Sequence, residues 1–184
     1  KEPLRVREIE VDEGALVEPG QVLVKLDTST LDAQLAEAKA REAAAQEQLA
    51  VALAAIAKQQ SEVELAQIEV ERSANLTKEG AGSQRELDVR RAKVGTTQAS
   101  LAEAKAMQQT AREQVEAARA NVEEIQTRIT DATLTSPVTG RVLYRLAEPG
   151  EVLAPGGKAL TVVNLEDVYM EIFLPAEQAA RAKI

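Results

Sequence analysis

The sequence predicts an α+β fold in which a small β module is split by a long antiparallel α-helical hairpin. A turn-rich phrase, LVEPGQVL at 16–23, returns as LAEPGEVL at 146–153, whereas the residues between about 30 and 132 keep a helical period. Two strand-and-turn segments that are each too small to bury a face can pair into one module if their ends meet. An antiparallel hairpin inserted between them returns the chain to its starting point.

The composition narrows the class of protein. The chain has 184 residues, of which 45% are hydrophobic and only 2% aromatic, and its formal net charge is −8. No Lys/Arg cluster interleaved with aromatic residues is present to track a phosphate backbone, so we expect no nucleic-acid partner. The sequence contains no Cys and no His, which excludes thiol nucleophiles, Cys/His zinc sites and histidine acid–base catalysis.

The first half of the β module is predicted at residues 1–27. Short alternating runs lie on either side of two turns, Asp12-Glu13-Gly14 and Glu18-Pro19-Gly20. Proline fixes φ and glycine allows positive φ, so both sequences favour tight turns between short strands.

The helical segment is predicted at residues 28–133, with helices at about 30–76 and 84–132 and a tip at about 77–83. Each helix repeats small or apolar residues every three, four or seven positions, which leaves an apolar seam along one side. Folding the second helix back onto the first buries both seams. Polar residues interrupt the seam at three positions, Glu42, Gln59 and Gln108.

Local signals mark the ends of these helices. Ser29 is the predicted N-cap of the first helix. Gly80 and Gly82 suit a C-terminal cap followed by a reversal of the chain. Ser83 and Glu86 have the spacing of a capping box, which predicts the start of the second helix.

The second half of the β module is predicted at residues 134–164, with turns at Glu148-Pro149-Gly150 and Pro155-Gly156-Gly157. The residues 165–184 begin with an apolar run that resembles the first strand of a further β unit. We expect that unit to be incomplete where the sequence stops.

This arrangement resembles the periplasmic adaptor family, also called membrane fusion proteins, of the haemolysin-secretion type. The resemblance covers essentially the whole chain. It implies that the β module is similar to lipoyl/biotinyl carrier domains and that residues 165–184 begin a β-barrel domain. Four segments carry it: VDEGALVEPGQVLVKLD (11–27), RSANLTKEGAGSQRELD (72–88), LTSPVTGRV (134–142) and LAEPGEVLAPGGKALTVV (146–163).

The resemblance implies a non-enzymatic adaptor for efflux or secretion across the Gram-negative envelope. Such adaptors link an inner-membrane transporter to an outer-membrane channel, and they assemble as homo-oligomeric rings. The protein would then lie in the periplasm, with its inner-membrane anchor outside this fragment. The transporter that we prefer is of the ATP-binding-cassette (ABC) class. We expect no catalytic site, no metal site and no cofactor.

Three tip residues match a pattern found in several subfamilies, in which an Arg is followed by a Leu four residues on and a Ser seven further on. They are Arg72, Leu76 and Ser83. The resemblance implies that they dock the channel, with Arg72 donating to carbonyl groups and Leu76 filling an apolar notch. Each also has an ordinary structural explanation. Arg72 would be a solvated charge near a helix C-terminus, Leu76 would close the end of the seam, and Ser83 would cap a helix.

Two other functions compete with this interpretation. The first is a carrier component of a multi-subunit enzyme, in which Lys158 would hold biotin or lipoate. Its Gly-Lys-Ala setting fits neither attachment motif in full, and the helical insertion of roughly 100 residues argues against it. The other alternative is a structural coiled-coil spacer. The acidic residues along both helices have no matching nucleophile or partner, so a solvated face explains them.

Overall fold

The computed structural model describes residues 3–164, and the predicted α+β fold is confirmed. These residues belong to two compact units: a β module built from both ends of the sequence, and a helical hairpin from Leu31 to Arg128. The further β unit predicted at 165–184 lies outside the described residues.

The β module contains two antiparallel sheets, and each sheet combines strands from both halves of the sequence. One sheet has the order β4-β3-β1-β6 and the other β2-β5-β7. Neither half therefore forms a complete sheet by itself. The strands are β1 (Leu4–Ile9), β2 (Leu16–Val17), β3 (Val22–Leu26), β4 (Thr133–Thr135), β5 (Gly140–Arg145), β6 (Val152–Leu153) and β7 (Leu160–Val163).

The two repeated Glu-Pro-Gly turns make equivalent contacts, each with the opposite half of the module. The Gly20 amide donates to the carbonyl of Ser136, and the Gly150 amide donates to the carbonyl of Val6, both at 2.8 Å. Both glycines have positive φ, 82° and 91°, which explains why each turn needs glycine. The repetition in sequence thus reflects two half-motifs that exchange their turn hydrogen bonds.

The core of the β module consists of aliphatic residues from both sheets. Ser136 is the polar exception, since it is only 2% exposed. Its hydroxyl donates to the carbonyl of Val138 at 2.7 Å, which satisfies the buried group. The buried apolar residues are Val6, Val11, Val17, Leu23, Val24, Val142, Ala147 and Ala159.

The hairpin contains α1 (Ser29–Lys78) and α2 (Gln84–Asp131). With 50 residues, α1 is about 75 Å long. It begins at Ser29, so the prediction of Ser29 as the N-cap is wrong by position. Instead, the Asp27 carboxylate accepts a 3.0 Å hydrogen bond from the Ser29 amide. This bond lowers the pKa of Asp27, because it favours the charged carboxylate.

The seam of the hairpin follows a heptad pattern. In each helix, the buried residues fall on positions that alternate in steps of three and four residues. Glu42, Gln59 and Gln108 are half-buried within it, at the interruptions seen in the sequence. Thr97 is also a seam residue, and its hydroxyl bonds to backbone carbonyls of its own helix. The buried seam residues are Leu31, Ala38, Val63 and Ala66 in α1 and Leu87, Thr97, Ala104, Ala111, Val122 and Ile125 in α2.

Replacing Gln59 by leucine is expected to stabilise the hairpin by about 1–3 kcal/mol. The Gln59 side-chain oxygen is buried and has no hydrogen-bond partner among the described residues. Leucine removes this unsatisfied group and keeps a similar helix propensity. Urea unfolding measures the change, with Gln60→Leu at the exposed neighbouring position as the control. A lower free energy of unfolding for Gln59→Leu would contradict the prediction.

Candidate docking surface at the hairpin tip

A Schellman turn ends α1 at the tip. The Ala81 amide donates to the Leu76 carbonyl at 2.9 Å, and the Gly80 amide donates to the Thr77 carbonyl at 3.2 Å. Gly80 has a φ of 76°, the left-handed conformation that this turn requires and that glycine adopts without strain. The carbonyl groups of Leu76 and Thr77 are thus satisfied within the chain, which leaves side chains to contact a partner at these positions.

Gly82 brings the loop back against the end of α1. A Cβ atom at Gly82 would lie 2.8 Å from the backbone nitrogen of Thr77 and 3.1 Å from the carbonyl carbon of Leu76. The backbone of the loop therefore passes directly over the Leu76–Thr77 peptide. As a result, Ser83 enters α2 close to Leu76, and two of the three predicted docking residues come together.

Arg72 and Leu76 share one face of α1, because residues four positions apart on a helix are neighbours. The Arg72 side chain is exposed and has no ion-pair partner within residues 3–164. Leu76 is 44% exposed. In a Schellman turn, an apolar side chain in the loop usually packs over a residue in the last turn of the helix. Here the loop residue is Ala81 and the helix residue is Leu76, and the alanine side chain is too small to cover the leucine. Leu76 is therefore available to a partner.

The predicted capping box at Ser83 is not formed. Ser83 does precede α2, and its carbonyl accepts the first helical bond, from the Leu87 amide at 3.2 Å. Its hydroxyl, however, has no hydrogen-bond partner among the described residues, and Glu86 accepts a 2.8 Å hydrogen bond from Arg90 Nε instead. In this bond both the donor and the acceptor are ionised, so Arg90 competes effectively with the Ser83 amide for the Glu86 carboxylate.

Arg90 also joins the two helices beneath the tip. Its Nη1 lies 2.8 Å from Glu69 Oε2 of α1. The hydrogen bonds to Glu86 and to Glu69 raise the pKa of the Arg90 guanidinium above its ordinary value. Sequence analysis missed this residue, although its position three residues after Leu87 places it on the seam.

Lys158, on which the carrier alternative depends, is exposed and directly follows a turn in the loop between β6 and β7. The Gly157 amide closes this turn by donating to the Ala154 carbonyl at 2.8 Å. Attachment of biotin or lipoate at Lys158 stays a prediction of that alternative. Within residues 3–164, no group of three or more acidic residues is placed to hold a metal ion.

Comparisons with known proteins agree with the hairpin architecture. Residues 48–118 match the family model described as "RND MFP, alpha-helical hairpin domain". The chain is 26% identical over 167 residues to the multidrug resistance protein MdtA of Proteus mirabilis (strain HI4320), a match that covers 90% of this chain and 34% of MdtA. The crystal structure of MacA from Actinobacillus actinomycetemcomitans superposes with a TM-score of 0.62 at 23% identity, covering 89% of this chain and 46% of MacA.

These matches show that the chain is similar to RND-type membrane fusion proteins, the periplasmic adaptors that carry a helical hairpin domain. The likeness to MacA shows the fold, a long helical hairpin with an antiparallel β module. The chain spans about a third of the length of MdtA and about half of MacA. The haemolysin-secretion subtype is not confirmed, because the matching family model is of the RND type.

Proposed function

We propose that this chain is the hairpin and β-module portion of a periplasmic adaptor that links an inner-membrane transporter to an outer-membrane channel. The observation that carries the proposal is the tip, where Arg72, Leu76 and Ser83 are exposed and their side chains have no hydrogen-bond or ion-pair partner among the described residues. Similarity to a multidrug resistance protein supports efflux as the process. The spacing of these three residues supports the channel as the partner.

The proposed role is mechanical and involves no chemistry on the transported substrate. The sequence contains no Cys and no His, and we assign no catalytic residue. The transporter supplies the energy, while this chain supplies length and a contact at the tip. If the tip binds an open channel more tightly than a closed one, the difference in binding free energy shifts the channel toward the open state.

We further propose that the protein works in the periplasm and is held at the inner membrane by a segment outside the described residues. Across residues 3–164, neither helix contains a stretch apolar enough to cross a bilayer. The transporter class has two candidates: the family model carries the RND label, whereas the resemblance to secretion adaptors favours an ABC transporter. Co-purification of the full-length protein with its transporter distinguishes the two.

Self-association is supported by an apolar stripe on the surface of the hairpin. Heptad positions that flank the seam on one side carry large apolar residues, each more than two-fifths exposed. Glu69 of α1 and Glu86 of α2 lie on this side of the seam, and both bond to Arg90. The two helices therefore present this side of the seam on the same surface of the hairpin. Such exposed apolar rows typically mark protein interfaces. The stripe comprises Val51, Leu65, Val89 and Met107.

Leu65→Glu is expected to weaken self-association of the full-length protein by at least about tenfold, because an unpaired charge at an apolar contact is costly to bury. Sedimentation velocity measures the effect. Leu53→Glu is the matched control, since Leu53 is similarly exposed on the same helix but lies on the opposite side. An equal loss in both variants, or no loss in either, would show that the stripe is not the contact.

In-cell photo-crosslinking from Leu76 of the full-length protein tests the channel contact. A photoreactive amino acid at Leu76 is expected to capture an outer-membrane channel protein, identified by mass spectrometry. Capture of other copies of this chain alone would contradict channel docking and favour the coiled-coil spacer. A second tip position, Lys78, is also exposed and serves as a replicate that leaves Leu76 intact.

A further inference from the structure

Arg90 occupies a position where the hairpin would ordinarily place an apolar residue. Heptad spacing from Leu87 puts it on the seam, and its side chain is 41% exposed. A charge at a seam position generally lowers stability relative to an apolar residue, and such residues are best known for fixing one arrangement among several. We therefore expect Arg90 to fix one arrangement of the two helices.

The guanidinium group holds one acidic residue from each helix. Nη1 bonds to Glu69 Oε2 of α1 and Nε to Glu86 Oε1 of α2, both at 2.8 Å. Because the guanidinium is planar and its donors have fixed directions, two such bonds restrict rotation of α1 relative to α2. Lysine, with a single ammonium group on a flexible stem, would not impose the same restriction.

The bond to Glu69 acts directly below the docking residues of α1. Glu69 precedes Arg72 by three residues and Leu76 by seven, so all three lie on one side of the helix. Fixing the rotation of α1 at Glu69 therefore fixes the direction in which Arg72 and Leu76 point. A small rotation there would turn Leu76 toward or away from a partner.

The bond to Glu86 acts on the third docking residue. Ser83 and Glu86 have the spacing of a capping box, in which the serine hydroxyl accepts from the Glu86 amide and the Glu86 carboxylate accepts from the Ser83 amide. In this structure Arg90 holds the Glu86 carboxylate, and the Ser83 hydroxyl has no partner among residues 3–164. Without Arg90, the Glu86 carboxylate is available to accept from the Ser83 amide and so to begin the capping box.

We propose that Arg90 is a positioning residue for the tip, which fixes the direction of Arg72 and Leu76 through Glu69 and keeps the Glu86 carboxylate from closing a capping box on Ser83. This inference rests on the proposed docking function. The partner that it prepares for is the channel, whose backbone carbonyl groups the free Ser83 hydroxyl and Arg72 are able to meet as donors.

The test compares Arg90→Leu with the native residue in the full-length protein. Leucine restores an apolar seam, so the hairpin remains folded and at least as resistant to heat. Capture of the channel by a photoreactive residue at Leu76 is expected to fall at least about tenfold. Hydrogen exchange at the Ser83 and Glu86 amides is expected to slow, because the capping box now forms. Arg90→Lys is expected to recover only part of the capture.

Arg112→Leu is the matched control, because among the described residues Arg112 pairs only within α2, with Glu116 at 3.4 Å. It is expected to change neither capture nor exchange at the tip. Unchanged capture together with unchanged exchange in Arg90→Leu would overturn the proposal and leave Arg90 a purely structural residue. If the native protein captures no channel, the docking function itself fails, while the exchange at Ser83 and Glu86 still decides whether Arg90 displaces the capping box.

Discussion

Leu76→Glu in the full-length protein is expected to lower channel capture and transport at least about tenfold while the hairpin stays folded. Leu76 is exposed at the tip and its backbone is fixed by the Schellman turn. Truncation of a residue that acts as an interface hot spot costs about 2 kcal/mol or more, and each 1.4 kcal/mol changes an equilibrium about tenfold. Glutamate removes the apolar contact and adds a charge that must be desolvated.

The measurement uses a photoreactive residue at Lys78, so that position 76 is free to vary. Leu53→Glu is the control, because it makes the same substitution on the same helix at similar exposure, several turns from the tip. Arg72→Ala and Ser83→Ala are expected to reduce capture less than Leu76→Glu. If Leu76→Glu and Leu53→Glu capture the channel as well as the native protein, the tip is not the docking surface.

The split β module and the C-terminal end of α1 were predictable because local chemistry determines them. The Glu-Pro-Gly turns need a glycine with positive φ, as Gly20 and Gly150 have. Gly80 likewise signals the end of α1 through the Schellman turn. These signals depend on a few adjacent residues, so the sequence alone is sufficient to read them.

The arrangement at the start of α2 was not predictable in the same way. Ser83 and Glu86 satisfy the capping-box pattern, but the outcome depends on Arg90, which competes for the Glu86 carboxylate. Arg90 is held in place by Glu69, which is distant in sequence and close only once the hairpin forms. A local pattern therefore predicted a bond that a tertiary contact replaces.

The exposure of the docking residues also depends on tertiary structure. From the sequence, Leu76 fits either the end of the seam or a surface contact. The register of the hairpin decides between them, because it places Leu76 beside the seam, where it remains 44% exposed. The identity of the partner is a property of a second protein, so neither this sequence nor this fold contains it.

Gly140→Ala is expected to lower the stability of the β module by at least about 2 kcal/mol. Gly140 is buried at the start of β5, and a Cβ atom there would overlap the Val163 carbonyl oxygen and lie 2.9 Å from Val162 Cγ1. Both neighbours belong to β7, whose backbone pairs with β5. Because a backbone carbonyl cannot move aside as a flexible side chain can, the two strands must separate.

Hydrogen exchange along β5 and β7 measures this loss, and about 2 kcal/mol corresponds to exchange roughly 30-fold faster. Gly95→Ala is a control with the opposite sign, because a Cβ atom at Gly95 meets nothing within 4 Å and Gly95 lies inside α2. Alanine there is expected to stabilise the helix by up to about 1 kcal/mol. The same chemical change thus destabilises one unit and stabilises the other. If Gly140→Ala left exchange along β5 and β7 unchanged, the close approach of β7 to Gly140 would not exist in solution.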